Sequence, residues 1–204
     1  MKKYILYTAA LMAITISSCR KIETDGEIQV VVVNGGGGGT PTAQTITLQG
    51  RINADTVLRK ANSYILKGIV YMVGNHTMTI EPGTVIKGAF SGTDVAALVI
   101  TRGSKIIAAG TATDPIVFTS LSPNPQSGDW GGIVLCGKAG YNLSYNGTAG
   151  LYQVEGGIDN ANGDGLAGSG DAVAPSPVPN DNSGVLQYVR IEYAGYAFQP
   201  DKEV

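Results

Sequence analysis

The segments MTIEPGTVIKGA, residues 78–89, and LVITRGSKIIAA, residues 98–109, decide the fold. Offset by 20 residues, they align as two copies of one unit, in which a short strand, a glycine turn and a second strand follow one another. A strand-based repeat of this kind, without helical periodicity, is typical of a solenoid. The ladder of leucines and asparagines that defines leucine-rich repeats is absent from the sequence. The pattern therefore predicts an all-β chain folded as a right-handed, single-stranded parallel β-helix, with a β-sandwich as the alternative.

Alternation of side chains along these strands predicts which residues enter the core, because successive residues of a strand point to opposite sides. We expect the inward set to be Met78, Ile80, Leu98, Ile100 and Phe118. We expect the outward set to be Thr79, Glu81 and Thr101. In this alignment Lys87 falls opposite Ile107. Lys105 falls opposite Val85, so no ladder of charged residues suited to catalysis is expected along one face.

The composition supports an all-β chain and excludes one class of partner. Glycine accounts for 29 of the 204 residues and proline for 9, which favours short strands joined by many turns. Charge is sparse and nearly balanced, with 14 Lys and Arg against 16 Asp and Glu. A protein that binds nucleic acid usually carries a clear basic excess. Nucleic acid is therefore excluded as a partner.

The N-terminus predicts export and a lipid anchor. Lys2 and Lys3 precede an uncharged, mostly apolar stretch at 4–16, which is too short for a comfortable membrane span and is typical of a signal peptide. The sequence Ile-Ser-Ser-Cys that ends at Cys19 resembles the bacterial lipobox. We expect a lipoprotein signal peptide at 1–18, a lipid on Cys19 as the contact with the membrane, and an outer-membrane protein that faces the periplasm or the outside. An ordinary secretory peptide is the alternative.

Residues 19–44 are predicted to be a tether, because five consecutive glycines at 35–39 offer no side chains for a packed core. The short run 29–33 has β-propensity, and its assignment stays open. The β-helix is predicted over 45–204. Cys136 is the only cysteine besides the predicted lipidation site, so we expect no disulfide framework and a small buried hydrophobe at this position.

Residues 140–184 interrupt the repeat with an insertion that carries five acidic residues and no Lys or Arg. Insertions in solenoids are commonly where binding occurs. The spacing of oxygen donors in part of this segment approximates a calcium loop, although the first position is Asn and no flanking helices are expected. A plain solvated loop is the alternative. The candidate calcium ligands are Asn160, Asn162, Asp164, the carbonyl of Leu166 and Asp171.

Aromatic residues near this insertion are candidates for contact with a sugar, because aromatic rings stack on sugar rings and Tyr tolerates a wet surface. Trp130 lies in the glycine turn GDWGG, where packing across the edge of a coil is the alternative to a binding role. The tentative ligand-binding set is Trp130, Tyr141, Tyr145 and Tyr152.

Several segments together resemble a family of bacterial surface lipoproteins of the Bacteroidota type. They are YILKGIVYMV, TMTIEPGTVIKG, LVITRGSKIIAAGTATDPIVFTS, GDWGGIVLCGKA and SGVLQYVRIEYAGY. The resemblance as a whole covers roughly Thr45 to the C-terminus. The resemblance implies a parallel β-helix on a lipidated N-terminus, and it brings no established catalytic residues. Members of that family are considerably longer, so we expect this chain to be the N-terminal part of a β-helix that is truncated at its C-terminal end, or one whose end is covered by a partner.

Three hypotheses of function follow from these features. The first is a lipid-anchored surface protein whose non-catalytic β-helix binds a partner, with carbohydrate as the expected ligand class, or has a structural role. The second is a polysaccharide lyase or hydrolase whose active site lies C-terminal to this chain. The third is an adhesin that binds a surface protein. No cofactor other than the candidate calcium ion is expected.

Overall fold

A computed structural model of the protein describes residues 43–199, together with short strands at 31–32 and 202–203. The predicted signal peptide at 1–18, Cys19 and most of the predicted tether lie outside the described residues. In chain order the strands are β1 (Val31–Val32), β2 (Thr45–Ile52), β3 (Thr56–Leu58), β4 (Ser63–Met72), β5 (Thr77–Ile80), β6 (Val85–Gly88), β7 (Ala97–Ile100), β8 (Lys105–Ala109), β9 (Ile116–Ser120), β10 (Gly132–Leu135), β11 (Ser144–Tyr145), β12 (Thr148–Ala149), β13 (Leu151–Gln153), β14 (Leu166–Gly168), β15 (Gly184–Gln187), β16 (Val189–Ile191), β17 (Ala197–Gln199) and β18 (Lys202–Glu203). A single turn of 3₁₀-helix lies at Gly92–Asp94.

The strands of the body stack into three faces in which every pairing is parallel. Face A contains residues 45–49 of β2, residues 63–67 of β4, and β6, β9 and β16. Face B contains residues 50–52 of β2, residues 69–72 of β4, and β7 and β10. Face C contains β3, β5, β8 and β15. Because neighbours within a face come from successive turns of the chain, the parallel β-helix is confirmed, and the antiparallel pairing of a β-sandwich is excluded.

The pairing register differs from the 20-residue alignment. Met78 of β5 pairs with Ile106 of β8 on face C. Leu98 of β7 instead pairs with Val70 of β4 on face B, and Phe118 lies on face A. The aligned segments are therefore strand–turn–strand units from different corners of the coil, and their spacing is not the coil length. Similar turn residues recur at each corner. The sequence alignment therefore indicated the fold but not the pairing register of the strands.

The interior of the β-helix is a single apolar core. Its members include all five residues that were predicted to point inward, and none is more than 2% exposed: Met78, Ile80, Leu98, Ile100 and Phe118. On face B, Ile100 lies between Met72 of the preceding coil and Leu135 of the following one. Burial of each such side chain contributes about 1.5–3 kcal/mol to the free energy of folding. Stacking of like residues from coil to coil therefore stabilises the solenoid.

Thr101 was predicted to point outward, and this prediction is wrong. Thr101 is 8% exposed, and its Oγ1 donates a hydrogen bond to the carbonyl oxygen of Met72 at 2.8 Å. The residue follows the last residue of β7, where the chain turns and the alternation of a strand no longer applies. Thr79 and Glu81 stay partly exposed.

A folded layer, rather than a solvated loop, is formed by the insertion at 140–184. It contains two antiparallel hairpins, β11 with β12 and β13 with β14. It packs on the outer side of face B and forms a second apolar core there. The buried members of that core are Tyr71, Val73, Ala97, Val99, Cys136, Ile158 and Ala167. Strand β7 is therefore buried on both sides, with the helix interior on one side and the insertion on the other.

The two ends of the described β-helix differ. At the N-terminal end, β1 pairs antiparallel with β2, which places a short strand within the predicted tether. At the other end, Leu135, Leu186 and Ile191 continue the inward rows of faces B, C and A. These three side chains are 42%, 43% and 46% exposed, so the described residues leave this end of the core largely uncovered.

Candidate functional site

Two arginines of the β-helix hold the insertion against face B. Arg51, on the outer side of β2, places its Nε 2.8 Å from Oδ2 of Asp164, and its Nη2 donates to Oδ1 at 3.2 Å. Arg102, in the turn after β7, donates from Nη1 and Nη2 to the two carboxylate oxygens of Asp171 at 2.8 and 2.7 Å. The Arg102 side chain is only 4% exposed. The bidentate pair of Arg102 and Asp171 fixes geometry as well as charge, so the insertion is held in one orientation.

The pair with Arg102 also changes the acidity of its partner. The Arg102 guanidinium, together with the backbone amides of Ala174 and Val173, holds the pKa of Asp171 below its usual range against the opposing effect of burial. The charged form of Asp171 is thus the form that the folded insertion requires.

In the structure the candidate calcium ligands have other partners. Their two carboxylates, Asp164 and Asp171, are engaged by different arginines instead of meeting at one point. Asn160 turns its amide nitrogen to the Asp164 carboxylate at 2.8 Å, and its oxygen accepts the backbone amide of Asn162 at 2.8 Å. Leu166 lies in β14, paired with β13. Among residues 43–199, no group of three or more His, Cys, Asp or Glu side chains is placed to hold a metal ion.

Two ionisable groups are buried beneath the insertion. The Tyr71 hydroxyl donates to the carbonyl oxygen of Ile158 at 2.7 Å, and burial raises the pKa of Tyr71 to about 12. Burial also raises the pKa of the Cys136 thiol to about 12. Cys136 is fully buried and unpaired, which confirms its prediction as a small hydrophobe. Neither group is charged near neutral pH, so both belong to the packing of this layer.

Trp130 packs inside the β-helix, and its predicted role in sugar stacking is wrong. The residue is fully buried, and its ring stacks on Phe118 with centroids 6.4 Å apart. Its Nε1 donates to the carbonyl oxygen of Glu192 at 2.8 Å. A Cβ atom at Gly88 would lie 2.8 Å from the indole, so only glycine at this position lets the ring pack so closely. The alternative of packing across a coil edge is confirmed.

A cleft of about 410 Å³ opens on the insertion, and we call it the tyrosine cleft. Two of the predicted aromatics, Tyr145 of β11 and Tyr152 of β13, line it. The full lining is Leu143, Ser144, Tyr145, Tyr152, Gln153, Val154, Glu155, Gly156, Gly157 and Asp159. Its volume falls within the range of small-molecule sites in proteins.

The third predicted tyrosine joins the other two through ring contact. Tyr141 stacks on Tyr152 with centroids 5.4 Å apart and planes inclined by 26°. The stacking orients the Tyr152 ring, because offset stacked pairs are favoured by about 0.5–1.5 kcal/mol beyond their buried area. The structure therefore brings Tyr141, Tyr145 and Tyr152 together and leaves Trp130 elsewhere.

The polar side chains of the tyrosine cleft are hydroxyls, carboxylates and one amide, with no cationic residue. Gln153 donates from Nε2 to Oδ2 of Asp159 at 3.0 Å, and Oδ1 of Asp159 accepts the backbone amide of Gly165 at 2.9 Å. Glu155 is exposed and has no ion-pair partner among the described residues. No Lys, Arg or His lines the cleft. Aromatic rings beside hydrogen-bonding groups suit a ligand that is rich in hydroxyl groups and carries no negative charge.

Several residues of this region were not found by sequence reasoning. The only sequence signal for Arg51 and Arg102 is that the acidic residues of the insertion have no Lys or Arg within the insertion to pair with. Gln153, Glu155 and Asp159 were visible as polar residues near Tyr152, but nothing in their spacing indicated a shared cleft. The position of the tyrosines depends on the hairpins of the insertion, which have weak local signals.

Lys87 and Lys105 do not form a ladder of charge on the outer faces of the β-helix. In the observed register Lys87 lies between Ile65 and Thr119, and Lys105 pairs with Thr77, so these two lysines belong to different faces. Arg190 and Glu192 form an ion pair at the surface.

His76, in an exposed turn, lies 3.3 Å from Asp55. The backbone amide of Thr77, and then His76 itself, lower the pKa of Asp55. The histidine thus has a structural partner at the surface of the β-helix.

Comparison with known proteins gives one match. The sequence matches the family model described as "Pectate-lyase like beta helix domain" over residues 50–204. This match covers most of the chain, and the chain therefore belongs to the pectate-lyase-like β-helix domain family. No curated protein and no solved structure matches it significantly. Within the described part of the chain, no helix has the length and apolar character needed to cross a membrane.

Proposed function

We propose that this protein is a lipid-anchored protein of the bacterial cell envelope whose β-helix displays the tyrosine cleft for binding carbohydrate without catalysis. The observation that carries the proposal is the convergence of Tyr145 and Tyr152 with Gln153 and two acidic residues in one open cleft. The family membership supports it, because a pectate-lyase-like β-helix is compatible with a carbohydrate-binding or lyase-related role.

The layered construction of the insertion suits a binding site. The second apolar core and the two Arg–Asp pairs hold the hairpins in place before any ligand arrives. A ligand then binds a largely preformed surface, and little conformational entropy is lost on binding. Tyr side chains contribute large contact areas with few rotatable bonds. Both features favour measurable affinity from a small cleft.

The binding prediction is tested on the full chain, solubilised in mild detergent, with an array of neutral and acidic polysaccharides followed by titration calorimetry of those that bind. Tyr145→Ala is expected to weaken binding at least tenfold, which corresponds to about 1.4 kcal/mol. The reason is the loss of an aromatic surface from the cleft wall.

Tyr188→Ala is the matched control, because Tyr188 is 55% exposed on the β-helix and lies outside the cleft. It is expected to bind like the wild type. Binding of no polysaccharide at all, or equal losses in the two variants, would contradict the proposed function.

A lyase-related role is the second candidate, and the family description favours it. Incubation with polygalacturonate tests it, because β-elimination creates an unsaturated product that absorbs ultraviolet light. We expect no such product, since Lys87 and Lys105 lie on different faces and no Lys, Arg or His lines the tyrosine cleft. Steady release of unsaturated product by the purified chain would overturn the non-catalytic part of the proposal.

The lipid anchor is tested by Cys19→Ala. The lipobox-like sequence supports acylation at Cys19, which lies outside the described residues. We expect the variant to move from the membrane fraction to the soluble fraction, because removal of the lipid removes the main hydrophobic attachment. Cys136→Ala is the control, since this buried cysteine has no access to lipid, and it should stay with the membranes. A Cys19→Ala protein that still sediments with membranes would show that lipid is not the anchor.

A further inference from the structure

A second cleft is connected to the tyrosine cleft by a pair of stacked rings. It has a volume of about 690 Å³, and we call it the proline cleft. Its lining includes Tyr141, Pro175, Pro177 and Pro179. Tyr141 of this cleft stacks on Tyr152 of the tyrosine cleft, so the ring pair is the boundary between the two. A ligand that passes over the pair reaches both clefts.

Neither cleft is suited to a negatively charged ligand. The lining of the proline cleft contains no charged residue. The tyrosine cleft contains Glu155 and Asp159 and no Lys, Arg or His. An acidic sugar in the tyrosine cleft would be repelled by these carboxylates and would find no cation in the lining to replace its hydration. An uncharged sugar gains hydrogen bonds to the same acceptors at no such cost.

The proline cleft is also preformed. Pro175, Pro177 and Pro179 restrict the backbone of one wall, since the ring of each fixes φ. That wall is tied to the β-helix at both ends. The amide of Val178 donates to the carbonyl oxygen of Lys138 at 3.1 Å, and Asp171 pairs with Arg102. The two clefts therefore keep a fixed relation to each other.

We propose that the tyrosine cleft and the proline cleft are adjacent subsites for one uncharged oligosaccharide chain, which crosses the Tyr141–Tyr152 pair. This inference rests on the proposed function, and it adds the length and the charge of the ligand. A short sugar occupies the tyrosine cleft alone, whereas a longer chain gains contacts in the proline cleft without a second loss of translational freedom.

The test is titration calorimetry of the full chain in mild detergent with the cello-, xylo- and manno-oligosaccharide series, each from the disaccharide to the hexasaccharide. In the series that binds, affinity is expected to rise at least tenfold from the disaccharide to the hexasaccharide. Tyr141→Ala should remove this rise, so that hexasaccharide binding falls more than disaccharide binding. Tyr145→Ala should weaken both ligands. Oligogalacturonides of matched length should bind more weakly than the neutral series.

A second variant distinguishes a loss of folding from a loss of the ring contact. Tyr141→Phe keeps the stacked ring and should retain the length dependence, and thermal unfolding of each variant reports whether the insertion is intact. Three results would each overturn this inference while leaving the proposed function standing. They are affinity that is independent of length, an equal loss for disaccharide and hexasaccharide in a folded Tyr141→Ala protein, and tighter binding of the acidic series. Binding of no glycan would overturn both.

Discussion

Ile100→Asp is expected to unfold the central coils of the β-helix. Ile100 is fully buried between Met72 and Leu135 on face B, and all of its neighbours inside the core are apolar. An unpaired carboxylate there costs several kcal/mol, comparable with the whole stability of a domain, which is about 5–15 kcal/mol. The measurement is thermal unfolding followed by circular dichroism, with limited proteolysis to locate the opened coils.

Val57→Asp provides the matched control for this change. Val57 lies on the outer side of face C and is 48% exposed, so the new carboxylate stays in water. We expect its melting temperature to remain within a few degrees of the wild type. Near-normal stability of Ile100→Asp, or an equal loss in the two variants, would contradict the inward assignment of Ile100.

Asp171→Asn is expected to release the insertion from face B. The change leaves the Arg102 guanidinium buried without its counter-charge, and removal of one partner from a buried pair costs about 3–5 kcal/mol. Because 23% of the Asp171 side chain is exposed, we expect the lower end of that range, about 3 kcal/mol. The predicted readouts are a lower unfolding temperature and faster proteolysis within 140–184, while the β-helix core stays resistant.

Glu155→Gln is the control for the loss of one carboxylate in the same layer. Glu155 is exposed and has no ion-pair partner among the described residues, so its neutralisation should leave stability unchanged. Equal stability of the two variants would show that the pair of Arg102 and Asp171 does not hold the insertion.

The same pair predicts a pH dependence with a definite sign. The pKa of Asp171 is lowered in the folded state, so its contribution to stability is complete above the unfolded pKa of about 3.9. The contribution is lost as pH falls below that value and through the lower folded-state pKa. The wild type should therefore lose more stability than Asp171→Asn between about pH 4 and the acid limit of the experiment.

Much of the fold could be predicted because its rules are local. The strand–turn–strand units and the alternation of side chains placed Ile80, Leu98, Ile100 and Phe118 inside one core, and the structure confirms this. The register could not be predicted, because the corners of a coil use similar turns and the coils have unequal lengths. Met78 and Leu98 aligned in sequence although they lie on different faces.

The folded layer formed by the insertion could not be predicted, because its contacts with face B are long-range. One local signal did exist. The run Ala97–Ile100 is apolar at every position, which is typical of a strand that is covered on both sides, and its outer residues do lie under the insertion. The acidic residues suggested an ion, but Asp164 and Asp171 instead meet arginines from distant coils, a pairing that spacing along the chain does not reveal.

For the candidate site, the tyrosines of the insertion were identified correctly as a group that lies together, whereas Trp130 was not part of it. A single tryptophan flanked by glycines has the same local sequence whether its ring is exposed or buried. Here Gly88, from the neighbouring coil, decides the outcome by leaving space for the indole. That information is absent from the segment around Trp130 itself.

The most direct test of the central claim, that the insertion is a carbohydrate-binding surface, is hydrogen–deuterium exchange of the full chain with and without the hexasaccharide that binds in calorimetry. Slower exchange is predicted for backbone amides in 139–159, which include the Tyr141–Tyr152 pair and the tyrosine cleft, with little change on faces A and C. Protection confined to the outer strands of the β-helix, with none in the insertion, would contradict the claim.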